Sequence, residues 1–220
     1  MGPRLGTLLL GIFFFLGFFV ISMLRYNRKF NASYRMRNMF PYELNYESHF
    51  LENGYGNFSL ILMCASSVAF FITFDLTFGK TFFIPVISCG ILFSLLIPFI
   101  CLVPLKNLKA HILLVVLEFA LAIVTPASIG IAALLTYQRY SGGAIASGIV
   151  VASIVVCLFV CVLALNPSLS LRITMDKKVD ENGETKYVRP KIIPLALAEW
   201  LLIISIFIDE IMIFILMLAL

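Results

Sequence analysis

The run from Leu5 to Leu24, LGTLLLGIFFFLGFFVISML, holds twenty residues and no charge. As a helix it is about 30 Å long, which matches the hydrocarbon core of a bilayer. No face of it is polar, so it is not the helix of a water-facing surface. Backbone polar groups in lipid must be satisfied within the segment, and an α-helix does this.

Further apolar runs lie at 58–74, 82–103, 111–136, 144–165 and 195–220. Hydrophobic residues make up 61% of the chain and charged residues 13%, against roughly 25% charged in a typical globular protein. Mean hydropathy is +1.04. Six spans use most of the 220 residues. The expected fold is all-α: a polytopic membrane bundle of about six transmembrane helices, with residues 1–220 forming a single integral membrane domain. Five spans remain if the first is removed or the second fails to insert. A secretory signal carries its positive charge before the apolar core and small residues after it. Here only Arg4 precedes the first run, while Arg25, Arg28 and Lys29 follow. The run therefore reads as an uncleaved span.

The connections 25–56, 104–110 and 166–191 carry thirteen of the sixteen Lys and Arg residues; Arg4, Lys80 and Arg139 lie elsewhere. Positive residues mark the cytoplasmic side. The expected topology has both termini outside and these three connections in the cytoplasm, and the short connections suit a bacterial cytoplasmic membrane. Asn31-Ala-Ser and Asn57-Phe-Ser match the glycosylation pattern, but this topology keeps both unmodified. The basic residues flank apolar runs and form no stripe interleaved with aromatics, which argues against a nucleic-acid partner. Arg25, Arg28, Lys29, Arg35 and Arg37 first of all set orientation; anionic lipid headgroups are the second reading.

The first long connection is rich in aromatics. Met39 to Phe50 is expected in the membrane interface, with Pro41 stopping any helix there. Its stretch RNMFPYELNYE matches no motif with a stated mechanism. Asn182-Gly183, set between strand-compatible residues, predicts a small β-hairpin in 166–191. Pro85, Pro98 and Pro126 fall within spans, where neighbours can satisfy the freed carbonyls and kinks are expected. Two inverted three-span halves are possible by count, but the prolines of spans 3 and 6 do not match.

Chemistry-bearing motifs are sparse. The five cysteines lie in apolar runs, and no CxxC pair occurs. Cys157 and Cys161 share a helix face without a nearby His or acid, so packing is expected. His49 and His111 are the two histidines. HExxH, GxSxG and Walker sequences are absent from the chain. No metal or cofactor is expected. An intramembrane enzyme ranks last among the functional readings.

The acids carry the strongest functional indication. Asp209 and Glu210 sit within SIFIDEIMIFILMLAL, residues 205–220. If the span is 201–220, both lie near its middle. Glu199, beside an interfacial Trp200, shares a face with Glu210, and Asp209 points about a quarter-turn away. Glu118 follows Lys109 by nine residues, about 13 Å along a helix. No Lys or Arg lies deep in a span to pair with them. A charged side chain at the bilayer centre costs roughly 3 kcal/mol on insertion scales. Such acids can hold protons, bind a cation, or meet a basic group on another subunit. If the sixth span begins earlier, Asp209 and Glu210 are merely wet at the outer interface; neutral acids hydrogen-bonded within the bundle are the other structural reading.

Ala144, Gly148 and Ala152 form a small-residue ladder, a pattern that lets helices approach closely in lipid. A tight internal helix pair is expected from it, with an oligomer face as the second reading. Three functions stand: a small transporter, or the membrane subunit of one, binding protons, cations or cationic solutes at Glu118, Glu199, Asp209 and Glu210; a non-catalytic subunit or scaffold; and an intramembrane enzyme. The expected partners are the lipid bilayer and a second copy or another membrane protein.

Overall fold

The computed structural model describes residues 2–45, 50–78, 83–103, 107–139, 143–169, 175–179 and 185–218. Each apolar run forms a helix: α1 Gly2–Phe30, α2 Gly54–Phe78, α3 Ile84–Leu102, α4 Leu108–Arg139, α5 Gly143–Ala164 and α6 Pro194–Met217. All six are long and apolar enough to cross a membrane, as in a multi-pass membrane protein. Strands β1 Asp176–Val179 and β2 Thr185–Val188 pair antiparallel, with Asp176 opposite Val188 and Val179 opposite Thr185. The expected Asn182-Gly183 turn lies outside the described residues.

Local chemistry explains several helix ends. Asn31 takes a left-handed conformation, φ 48°, just past the end of α1. Asn tolerates that region better than other non-glycine residues, so it suits a helix C-terminus. Asn27 Oδ1 then accepts the Tyr34 N–H at 2.7 Å and turns the chain back. α6 begins on Pro194 and α3 has Pro85 in its first turn. The expected kink at Pro85 is corrected by this boundary, because a first-turn N–H has no intrahelical acceptor to lose. Pro98 and Pro126 do lie inside α3 and α4.

Helices adjacent in sequence pack side by side, and α6 contacts α1, α3, α4 and α5. In α6, 67% of the most apolar window is buried, against 22% in α5 and 28% in α1. α6 is therefore the central helix. Its exposed apolar stripe, Leu197, Ile208, Ile211 and Ile215, follows the helical period. Phe13, Ile131, Val151 and Val162 are exposed on other helices. This outer surface is apolar and suits a lipid environment.

Close packing depends on small residues. A Cβ on Gly90 of α3 would overlap the buried Phe71 ring of α2, and one on Gly130 of α4 would lie 3.0 Å from Ser153 Cβ of α5. The face of α5 that turns inward carries Ala146, Ile149, Ser153 and Val160. Ala144 and Gly148 are exposed, and Ala152 is partly buried; a Cβ on Gly148 would meet nothing within 4 Å. Of the ladder Ala144–Gly148–Ala152, Ala152 packs against the core while Ala144 and Gly148 face outward. The inward stripe lies beside it, and its Ser153 meets Gly130 of α4.

The interfacial placement of Met39–Phe50 is also corrected over its described part. Phe40, Pro41, Tyr42 and Leu44 are buried within the protein, on a short 3-10 helix spanning Pro41–Asn45. Pro41 opens this turn, where its fixed φ is compatible with helical geometry. Trp200 is fully buried and not an interfacial anchor. Its indole N–H donates to Met39 O at 3.1 Å, and its ring meets Phe19 and Tyr34 edge to face.

Candidate functional site: buried acids beneath a folded-back segment

α4 and α6 leave the same end of the bundle, the end that carries residues 31–45 and 185–193. One turn into each helix, His111 of α4 faces Glu199 of α6. His111 Nε2 lies 3.0 Å from Glu199 Oε1, and His111 Nδ1 lies 2.8 Å from Val103 O. Both side chains are fully buried. A carbonyl only accepts, so the Nδ1 proton is assigned by the Val103 contact. The Nε2–Oε1 contact then needs one further proton. If Nε2 holds it, the pair is imidazolium and carboxylate; if Glu199 holds it, the pair is imidazole and carboxylic acid. The geometry accommodates either form.

The other acids continue inward along the same two helices. Glu118 lies seven residues beyond His111, about 10 Å deeper, and Glu210 eleven beyond Glu199, about 16 Å deeper. Glu118, Asp209 and Glu210 are fully buried. Both oxygens of each, and Glu199 Oε2, have no hydrogen-bond partner among the described residues. Glu210 faces the buried Ser67 side chain of α2. Gly11 of α1 opens space there: a Cβ on it would lie 3.8 Å from Ser67 Oγ and 3.4 Å from Phe207 Cε1. Asp209 is turned toward the Cys157 side of the bundle, consistent with adjacent residues pointing apart on a helix. Burial, not water contact, is therefore the observed environment of the central pair. Burying an ionised carboxylate without a partner is strongly unfavourable, so these groups need a proton or a cation.

A polar and aromatic cover closes the His111 end. The Tyr42 and Phe40 rings stand edge-on to His111, with centroids at 5.5 and 6.4 Å. Glu43 holds this segment in two ways. It accepts the Phe40 N–H at 2.6 Å, and it receives both Arg189 nitrogens at 2.7 and 2.9 Å. Asn38 Nδ2 donates to Pro190 O at 3.1 Å, and the Ile193 N–H donates to Arg37 O at 2.8 Å. Tyr34 donates its hydroxyl to Phe40 O at 2.7 Å. Burial, and after it the Glu43 carboxylate, push the Tyr34 phenol well above its usual range, so it stays a donor at neutral pH. The two long connections are thereby joined over the His–Glu pair.

The remaining sequence candidates separate from this site. Cys157 Sγ donates to Ile123 O at 3.4 Å, which is packing between α5 and α4. His49 lies outside the described residues. No group of three or more His, Cys, Asp or Glu positioned for a metal occurs among the described residues. Two parts of the site escaped the sequence reading. His111 carries no sequence sign of an acidic partner, because Glu199 lies 88 residues away. The cover was hidden because aromatic residues beside a membrane span suit an interface equally well; the one available indication was the proline-containing RNMFPYELNYE stretch.

No family model, curated protein or solved structure matches this chain. The functional reading therefore rests on the geometry alone.

Proposed function

We propose that this chain is a small transporter, or the membrane subunit of one, that moves a proton or a cationic solute by way of its buried acids. The supporting observation is the set of four buried carboxyl groups with one ring nitrogen as counterpart among the described residues. Intramembrane ionisable groups commonly mark ion and proton pathways. In this reading His111 and Glu199 exchange a proton at the covered end. Glu118 is the intermediate group, and Asp209 with Glu210 forms the central site. The Met39–Leu44 segment must part before the His–Glu pair meets water. The charge bias favours both termini outside and the covered end in the cytoplasm, and the short connections suit a bacterial cytoplasmic membrane.

The test uses vesicles reconstituted with the full chain, an imposed pH gradient, an internal pH dye and a panel of organic and inorganic cations. Cation-dependent proton movement is expected, with at least tenfold loss in the Glu118→Gln, Glu210→Gln double variant. Unchanged movement in that variant would remove the mechanism. A hydrophobic carbodiimide supplies an independent readout, because it adds to protonated carboxyls in apolar surroundings. Adducts at Glu118, Asp209 or Glu210 are expected, and a competing cation should protect the central pair.

The outward-facing Ala144 and Gly148 favour a second reading, a membrane subunit that packs against another protein or another copy through this face. Particle mass after gentle extraction separates the two. A fixed second protein in the particle supports the subunit; this chain alone supports a self-contained transporter.

A further inference from the structure

The C-terminal part of α1 carries a second feature on an exposed face, distinct from the buried acids. A groove of about 380 Å³ is lined by Ile21, Leu24, Arg25, Arg28 and Lys29. Ile21, Leu24, Arg25 and Arg28 recur at helical spacing, so one face passes from apolar to basic within two turns. Ile21 and Leu24 are exposed large apolar residues. Over the seven residues from Ile21 to Arg28 the face rises about 10 Å. That is the change in environment met by a phospholipid between its acyl chains and its phosphate.

Arg25 and Lys29 share one carboxylate, Glu52, at 3.6 and 3.1 Å, and Arg25 also donates to Leu44 O at 3.1 Å. Arg28 is exposed and has no ion-pair partner among the described residues. Arg25, Arg28 and Lys29 together make the basic end of the groove. A guanidinium presents paired N–H donors that match a phosphate.

We propose that this groove holds the phosphodiester headgroup of an anionic phospholipid. Its acyl chains lie along Ile21 and Leu24, Arg28 makes the principal phosphate contact, and Arg25 and Lys29 flank it. The proposal does not rest on the transport reading, although Arg25 also bonds Leu44 O at the end of the covering segment.

The test is lipid retention by the full chain, extracted in mild detergent and titrated with phosphatidylglycerol or phosphatidylcholine while bound lipid is counted by native mass spectrometry. Phosphatidylglycerol should bind at least fivefold more tightly than phosphatidylcholine, the scale expected for a basic residue at an anionic surface. Arg28→Gln should lower that preference about fivefold. Arg37→Gln removes an equal charge from an exposed position outside the groove and should leave it unchanged. Leu24→Ser should weaken binding of the lipid, and inorganic phosphate should not displace it. Equal retention of both lipids, equal loss in the Arg28 and Arg37 variants, or displacement by inorganic phosphate would each overturn the proposal. Displacement would show a soluble phosphate site instead of a lipid site.

Discussion

His111 Nε2 and Glu199 Oε1 meet at 3.0 Å with both side chains fully buried, although 88 residues separate them in the chain. Removing one partner leaves the other buried and alone. Breaking a buried pair in this way costs about 3–5 kcal/mol, whereas replacing both partners by apolar groups is close to neutral. Thermal unfolding in detergent should therefore show His111→Leu and Glu199→Leu each strongly destabilised, with the double variant recovering most of the loss. Additive losses in the double variant would mean that the two groups do not act as a pair.

The Arg189–Glu43 fork, at 2.7 and 2.9 Å, fastens the cover. Cys101 is fully buried, and its carbonyl accepts a hydrogen bond from Asn45 Nδ2 at 3.1 Å, at the end of the covering turn. It is a native reporter of opening. In a chain whose other cysteines are replaced by alanine, Arg189→Ala should speed modification of Cys101 by a small thiol reagent roughly tenfold, the effect of about 1.4 kcal/mol lost from the closed state. Arg189→Lys, which keeps the charge and loses the fork, should fall between. An unchanged labelling rate would show that the fork does not hold the segment closed.

Tyr34 supplies the hydroxyl that Phe40 O accepts at 2.7 Å. Tyr34→Phe should cost about 0.5–1.5 kcal/mol, the net worth of one hydrogen bond, because Phe40 O keeps the Glu43 N–H at 3.0 Å. The phenol is raised in the folded protein by burial and by Glu43. Its contribution is complete below the usual tyrosine range and is lost as pH rises through the elevated folded value. Wild type should thus lose more stability than Tyr34→Phe in alkaline solution; parallel pH profiles would contradict this.

Gly90 and Phe71 fix the contact between α3 and α2, since a Cβ at residue 90 overlaps the Phe71 ring. Gly90→Ala should destabilise by about 1–3 kcal/mol, the usual range for overpacking. Adding Phe71→Leu should recover part of that loss, which apparent melting temperatures in detergent can follow. A fully tolerated Gly90→Ala would show that the two helices can separate freely.

What the sequence could reveal follows from the range of the forces involved. The six helices were legible because each apolar run satisfies its own backbone and needs no distant partner to be recognised. The strands around residues 176–188 were legible from residue type and a turn pair. Glu118, Asp209 and Glu210 were legible as anomalies, because a carboxyl in an apolar run is costly wherever it lies. The partner of Glu199 was not, since a histidine at the start of a span looks the same whether it meets water or an acid 88 residues away.

Sequence by itself determined the membrane-type architecture and the presence of acids within apolar helices, both written in local composition and period. Tertiary structure decided which stripe of α5 faces inward, that α6 is the central helix, and that residues 34–44 fold over His111 instead of spreading along an interface. Those outcomes depend on contacts such as Trp200 with Met39 and Arg189 with Glu43. Their partners lie 161 and 146 residues apart, and no local pattern of hydrophobicity or charge encodes such a meeting.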